Sequence, residues 1–504
     1  MPGEYWKHFK SGTDIRGVAL EGVEGQHVDL TDGVIRSIGG AFVLWLSKKT
    51  SKAPGELVIS VGRDSRLSGE RIASALIGIL TESGVSVKSV GLASTPAMFM
   101  TTVCAGCDGA VQITASHHPF NRNGLKFFTR SGGLEGSDIT AILDLCEAGK
   151  LPDPAKGSVE SIDFMKTYCE ILKKIIIDGV GEGDRPLEGM KIAVDAGNGA
   201  GGFYASGVLE PLGADVSGSQ FLDPDGRFPN HVPNPENAEA MDSACRAVLA
   251  SGSDMGVIFD TDVDRAGCVD HTGKEINRNR LIALASCIAL EKYPGGTIVT
   301  DSITSSGLKT FIEKDLGGVH LRFKRGYRNV INEALRLNAQ GVCSPLAIET
   351  SGHAALMDNY FLDDGAYLAT QIIVKAAKLK KEGRTLGDLI VNLKEPAESV
   401  ELRFSITERD FAAAGNKVLA DLEKYSLSRG WALADDSREG VRVSFGPGEG
   451  EGWFLLRLSV HDPVMPLNIE SDAAGGCRII AAKLRECLKD AGCLDISALE
   501  KYLA

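Results

Sequence analysis

The chain has 504 residues, more than one hydrophobic core usually organises, so three or four domains are expected. Its 67 acidic against 54 basic residues give a formal net charge of −13, which argues against a nucleic-acid or anionic-membrane partner and requires any phosphate site to be a local basic pocket. Apolar runs such as 41–46 are far too short to cross a bilayer, no charged-then-apolar leader pattern opens the chain, and the eleven scattered cysteines read as reduced thiols. The expected location is cytoplasmic, with a plastid or other organelle as the alternative.

Taken in chain order, segments 57–90, 191–216 and 297–323 repeat one pattern of apolar strand, polar or glycine-rich loop, helix and second strand. Such alternation builds parallel sheets with crossover helices, and the wide spacing makes these three similar α/β domains rather than a solenoid. After the Lys394-Glu395-Pro396 break come a strand at 400–406, a helix from near Glu408, strands at 441–445 and 454–460, and a helix from about Asp472. Neighbouring strands without crossovers predict an antiparallel sheet with helices on one face. The predicted domains are 1–160, 161–280, 281–394 and 395–504.

Two strand ends carry the chemistry. Ser116 follows the apolar run 111–113 and precedes Pro119, which predicts a hydroxyl exposed on a sharply turned loop. A serine hydroxyl needs a base and compensating positive charge to act as a nucleophile, and His117 and Lys126, read as parts of the same loop, can provide them. The bland alternative is an ordinary polar turn. Asp260-Thr261-Asp262-Val263-Asp264-Arg265 follows the apolar run 255–259. In an extended loop the residues at i, i+2 and i+4 point the same way, which converges Asp260, Asp262 and Asp264 on one point. Oxygen-only ligands favour a hard divalent ion with positions left for a phosphoryl oxygen, as Mg²⁺ prefers. A calcium loop of EF-hand type would need glycine and glutamate where this chain has Arg265 and His271, and a solvated acidic turn is the remaining alternative. Zinc at Cys104-x-x-Cys107 with His117 and His118 is rejected, because adjacent histidines on extended chain point oppositely.

Residues 113–126 resemble the phosphoserine loop T-A-S-H-N-P-x-x-x-N-G-x-K of the α-D-phosphohexomutases, the family of phosphoglucomutase, phosphomannomutase and phosphoglucosamine mutase, with His118 where asparagine is usual. The resemblance covers essentially the whole chain. Residues 11–17 resemble the opening G-T-x-G-I-R-G and keep Arg16, while 61–66, 195–199 and 228–231 match landmarks read as mainly structural. Residues 260–265 resemble the metal loop D-G-D-x-D-R, with Thr261 for the glycine, and 349–353 resemble the sugar-binding G-E-x-S-G-H, with Ile348 for the leading glycine and Thr350 at the variable position. A carboxylate and a hydroxyl two residues apart suit vicinal sugar hydroxyls, although Thr-Ser-Gly alone could cap a helix. Residues 457–466 lie where the family has its phosphate cradle R-x-S-G-T-E-P-x-x-R, with His461 for threonine and Pro466 for the second arginine. A plain strand edge is the alternative there.

The resemblance implies three related α/β domains with mixed sheets and a distinct α+β C-terminal domain around a central cleft. It implies a mutase that moves a phosphoryl group between O1 and O6 of a hexose phosphate by way of phospho-Ser116 and a hexose 1,6-bisphosphate. Ser116, His117, Lys126, Arg265 and Arg16 would be catalytic. Ser116, Asp260, Asp262 and Asp264 would hold Mg²⁺. Glu349, Ser351, Lys324 and Tyr327 would face the sugar, and Arg457, Ser459 and His461 the far phosphate. The partner would be a small-molecule hexose phosphate, with no nucleic acid and no membrane, and the chain a monomer or homodimer. Glucose, mannose and amino or N-acetylated sugars stay open as substrates. A phosphoglucosamine mutase, a metal-dependent phosphatase and a non-catalytic sugar-phosphate sensor are the alternatives.

Overall fold

The strand Gly109–Ile113 is buried at all five positions. It lies inside an eight-stranded mixed sheet ordered Lys10–Ser11, Asp14–Val18, Arg122–Thr129, Gly109–Ile113, Val58–Arg63, Ser86–Leu92, Ser158–Ser161, with Gly132–Gly133 paired to Arg122–Thr129. The last four in this order run parallel, as crossover helices require, and Arg122–Thr129 and Asp14–Val18 are antiparallel additions. Helix Asp32–Thr50 starts where the Thr31 side chain accepts from the Val34 N–H, and it buries Val34, Ile35, Ile38, Phe42 and Leu46 at helical spacing. Helix Gly69–Glu82 adds Ile72, Leu76, Ile79 and Leu80 to the same core. Each such buried aliphatic side chain contributes roughly 1.5–3 kcal/mol.

This computed structural model describes residues 3–459 and 462–504. The chain divides into two units, one running to Leu281 and adding Ser351–Asp388, the other comprising Ile282–Thr350 and Leu389–Ala504. A second sheet in the first unit has the order Glu275–Ile276, Ala266–Asp270, Met255–Phe259, Ile192–Asp195, with only the last pair parallel. Here the predicted strand, helix and strand of 191–216 is corrected. After Ile192–Asp195 come a π-type turn, Tyr204–Leu209, and a 3-10 turn, Glu210–Leu212, and Asp215 makes a single bridge to Lys191. The left-handed Gly197 and Asn198 and the missing N–H of Pro211 prevent a regular α-helix.

In the second unit Thr297–Thr300 pairs in parallel with Val319–Arg322 and Leu346–Ile348. The C-terminal sheet is antiparallel throughout and has six strands, ordered Ala432–Leu433, Val441–Phe445, Gly452–Leu456, Val464–Ser471, Glu398–Ile406, Leu494–Asp495. Helices Phe411–Ser428 and Gly476–Leu488 bury Val418, Leu422, Ile480 and Leu484 in the core of this sheet. The strand predicted over 454–460 ends at Leu456, and the partner strand Val464–Ser471 escaped prediction because Pro466 lies within it. Helix starts near Glu408 and Asp472 move to Phe411 and Gly476; the Asp410 carboxylate caps the first by accepting from the Ala413 N–H. All eleven cysteines are free, and no helix of the described residues is long and apolar enough to cross a membrane.

Candidate active site

The pairing of Gly109–Ile113 with Arg122–Thr129 sets the loop that carries Ser116. Its register places Ile113 opposite Leu125 and Gln112 opposite Lys126, so residues 114–121 form the connection and Lys126 stands on a strand rather than on the loop. Ser116 has φ +51° and is buried, 4 % exposed, which corrects the expected exposed hydroxyl. Its N–H donates to Thr114 Oγ1 (2.9 Å). Its hydroxyl donates to Asp260 Oδ2 (3.1 Å) and accepts from Arg265 Nη2 (2.8 Å), with His117 Nδ1 at 3.2 Å. Because the chain turns here, the rings of His117 and His118 stack 5.3 Å apart instead of pointing oppositely.

The strand Met255–Phe259 delivers the acidic loop. That loop is turned rather than extended, with Val263 at φ +69°, yet Asp260, Asp262 and Asp264 each offer an oxygen within 4.8 Å of the others. Convergence comes from the turn and not from the alternation of an extended chain. Thr95 fixes one side: its hydroxyl donates to Asp262 Oδ2 (2.5 Å) and its N–H to the Asp262 carbonyl (2.8 Å). Asp262 Oδ1 and Asp264 Oδ1 are buried and carry no hydrogen bond among the described residues. Unsatisfied buried carboxylate oxygens in an all-oxygen cluster are the donor set a hard divalent cation takes, so the residues fit Mg²⁺. Lys126 Nζ pairs with Asp264 and lies 3.3 Å from Asp262 Oδ2.

Burial, and then the negative charge of Asp264 and Asp262, push the Asp260 carboxyl well above its usual range. Burial acts the same way on Asp264, but Lys126, His353 and Arg265 outweigh it and hold that carboxyl low. Burial also opposes the charge of Arg265, which Asp260 and Asp264 more than restore. Burial and then the charge of Arg265 push His117 down to about 2, so it is neutral, with Nδ1 accepting from Arg265 Nη2 (2.6 Å). Arg16 stands opposite Gly124 and donates to Asp14 Oδ2 (2.8 Å).

Two residues missed by sequence reasoning complete this cluster. His353, the last residue of the 349–353 motif, bridges to Arg265 and pairs through Nδ1 with Asp363 Oδ2 (2.5 Å). Burial lowers its basicity, but Asp363 and Asp264 raise it to about 9. The histidine was visible in the motif; Asp363 carries no spacing signal. Ser351 lies in the same unit, two residues before His353.

The other predicted residues lie in the second unit. Glu349 follows the strand Leu346–Ile348, and its Oε1 accepts from the Gly326 N–H (2.6 Å), at a glycine with φ +115°. Thr350 donates its hydroxyl to Asp301 Oδ2 (2.7 Å), so the variable position anchors the loop. Lys324 is exposed and Tyr327 starts the helix Tyr327–Ala339. Arg457 follows the strand Gly452–Leu456, and its buried Nε has no hydrogen-bond partner among the described residues. Burial and then the charge of Arg325 lower its pKa, against the pull of Glu439 and Glu401. Ser459 Oγ accepts from the Asp462 N–H (3.3 Å). His461 lies outside the described residues.

Family models described as phosphoglucomutase/phosphomannomutase, alpha/beta/alpha domains I, II and III, match residues 9–151, 166–273 and 277–396. The chain is 32 % identical over 464 residues to the phosphomannomutase/phosphoglucomutase of Pseudomonas putida, covering 91 % of each. It is 30 % identical over 463 residues to a phosphoglucomutase of Neisseria gonorrhoeae, covering 91 % of this chain and 92 % of that one. The crystal structure of a phosphoglucomutase/phosphomannomutase family protein from Burkholderia thailandensis matches with a TM-score of 0.77 at 27 % identity, covering 97 % of this chain and 98 % of that one.

Proposed function

Because this chain belongs to the phosphoglucomutase/phosphomannomutase family of α-D-phosphohexomutases, we propose that it interconverts hexose 1-phosphate and hexose 6-phosphate with Ser116 as the phosphoryl carrier. The observation that carries the reading is the Ser116 hydroxyl, held between Asp260 Oδ2 and Arg265 Nη2 beside two carboxylate oxygens that accept no hydrogen bond among the described residues.

Asp260, Asp262 and Asp264, with an oxygen on Ser116, hold Mg²⁺, which when bound withdraws charge from the phosphoryl group. Arg265 and Lys126 supply fixed positive charge where phosphoryl oxygens gather negative charge, and Arg16 adds a third cation from its strand. His117 enters as a neutral, weakly basic imidazole whose Nδ1 is taken by Arg265, so it orients that guanidinium beside Ser116 rather than moving the hydroxyl proton. Transfer from phospho-Ser116 to the free hydroxyl of the sugar yields a hexose 1,6-bisphosphate. Its other phosphate then returns to Ser116 after the sugar reverses, so the net reaction moves one phosphoryl group and consumes nothing. Glu349 and Ser351 orient the ring, with Lys324 and Tyr327 beside it, and Arg457, Ser459 and His461 bind the phosphate that is not reacting. Glucose and mannose phosphates are the substrates to assay, since both sugars recur in the names of the relatives.

The test combines intact mass with turnover. The purified protein should carry one phosphate that Ser116→Ala lacks, and should isomerise glucose 1-phosphate or mannose 1-phosphate with Mg²⁺ and a bisphosphate activator. Full turnover by Ser116→Ala would end the covalent reading.

A further inference from the structure

The run 62–66, Gly-Arg-Asp-Ser-Arg, leaves the end of the strand Val58–Arg63. Its last residue, Arg66, is 1 % exposed, and its guanidinium donates to four backbone carbonyls of the nucleophile loop. Nη2 reaches the carbonyls of Ser116 (2.5 Å) and His118 (2.6 Å), and Nη1 those of Pro119 (2.8 Å) and Arg122 (2.9 Å). Behind it, Asp64 Oδ2 lies 3.3 Å from Nε, and Asp64 Oδ1 accepts from the Arg66 N–H (2.9 Å). On another side the Phe228 ring lies 5.3 Å from the guanidinium carbon. Gly226 packs so closely on residues 65–67 that a Cβ there would fall 2.5 Å from both Leu67 N and Ser65 O.

A fork with this many seated bonds has one orientation, and so do the carbonyls it holds. Ser116 is left-handed at φ +51°, a conformation that a non-glycine residue keeps only when its surroundings impose it. The bond from Arg66 to the Ser116 carbonyl and that from the Ser116 N–H to Thr114 Oγ1 grip the residue at both ends. With the backbone fixed so, the hydroxyl meets Asp260 and Arg265. We propose that Arg66 is the positioning residue of the phosphoryl carrier: by tying the carbonyls of residues 116–122 it holds Ser116 in the left-handed conformation that aims Oγ at the acidic loop. The inference rests on Ser116 as the carrier.

Arg66→Lys keeps the charge but offers donors from a single atom, which cannot span four carbonyls. The phosphorylated full chain should then lose about 100-fold in kcat, with KM for the sugar phosphate within about twofold of wild type, as expected when a reacting group is misplaced and substrate binding is untouched. The ³¹P signal of the metal-free phosphoserine should shift and broaden. A kcat near wild type overturns the proposal. So does a fall in kcat with the ³¹P signal unchanged, because that pattern belongs to general destabilisation. Should the lysine variant fail to fold, Phe228→Leu loosens the same guanidinium from a half-buried position and should give a smaller loss of kcat with the same shifted signal; wild-type values for both overturn the proposal. A wild-type protein without phosphate on Ser116 overturns both this inference and the reading beneath it. Phosphorylated wild type with an unaltered lysine variant overturns only the inference.

Discussion

At the proposed phosphate site, Arg457 and Arg325 are the residues whose charges can be tested singly. The cradle motif that residues 457–466 resemble has a second arginine where this chain has Pro466, whose ring nitrogen has no proton to give. Arg325, from a different segment of the same unit, is the cation that bears most on Arg457. Its backbone N–H donates to Glu439 Oε1 (3.2 Å), and Gly440 packs against Arg457, where a Cβ would fall 2.9 Å from Arg457 Cα. The charge of Arg325 disfavours that of Arg457, and an anion bound by both would relieve this, so Arg325 is expected to stand in for the missing arginine. Arg325→Ala should raise KM for the sugar phosphate about tenfold and leave kcat within about twofold, the mark of a contact made equally in ground and transition states. Steady-state kinetics decide it; an unchanged KM removes Arg325 from the phosphate site.

At the scale of elements, the segment 432–445 is anchored to the 297–322 sheet of its own unit by buried charge. Arg442 donates to the carbonyls of Ser302 (2.8 Å) and Thr304 (3.1 Å) and lies over the Trp453 ring at 3.6 Å. Asp436 Oδ2 accepts from Arg322 (2.8 Å) and Lys309 (3.0 Å). Glu470, on Val464–Ser471, accepts from Trp453 Nε1 (3.1 Å), and burial pushes it up to about 7 against the pull of Arg442. The folded state therefore holds a proton on Glu470 that the unfolded chain, titrating near about 4.3, has lost. That contribution to stability is fully present below about pH 4 and is lost as pH rises through about 7, by up to about 3 kcal/mol. Glu470→Gln does not titrate, so thermal melting should decline less than in wild type between about pH 5 and 8. Parallel melting curves across that range would show the carboxyl to be ionised and compensated.

For the whole molecule, the two units each hold part of the proposed machinery. Ser116, the three aspartates, Lys126, Arg265 and His353 belong to the first, and Glu349, Arg325 and Arg457 to the second. Buried carboxylate oxygens that accept no hydrogen bond weaken the unit that contains them, and a bound cation relieves that cost. Mg²⁺ should therefore raise the melting temperature of the first unit, with about 2.7 kcal/mol available at a concentration a hundred times Kd. Asp262→Asn should melt at the same temperature with Mg²⁺ or with chelator. Equal melting of wild type in the two conditions would mean that the acidic cluster takes no cation.

Local chemistry decided much of what the sequence could tell alone. The strand ends before Ser116 and Asp260, the antiparallel C-terminal sheet and the parallel pairs at 57–90 and 297–323 follow from apolar runs broken by glycine, proline and charge. The convergence of the acidic triad, and its nearness to Ser116, Lys126 and Arg265, could be expected from the residue types and the motifs they resemble. What stayed hidden depends on groups far apart in sequence. No pattern in 62–66 reveals that Arg66 would seat four carbonyls some fifty residues on, or that Asp363 would pair with His353. The burial of Ser116 and the left-handed turn of Val263 are set by which strands pair and in what register. Only the tertiary structure fixes these, because burial and long-range pairing, rather than local preference, determine which backbone conformations and charges survive.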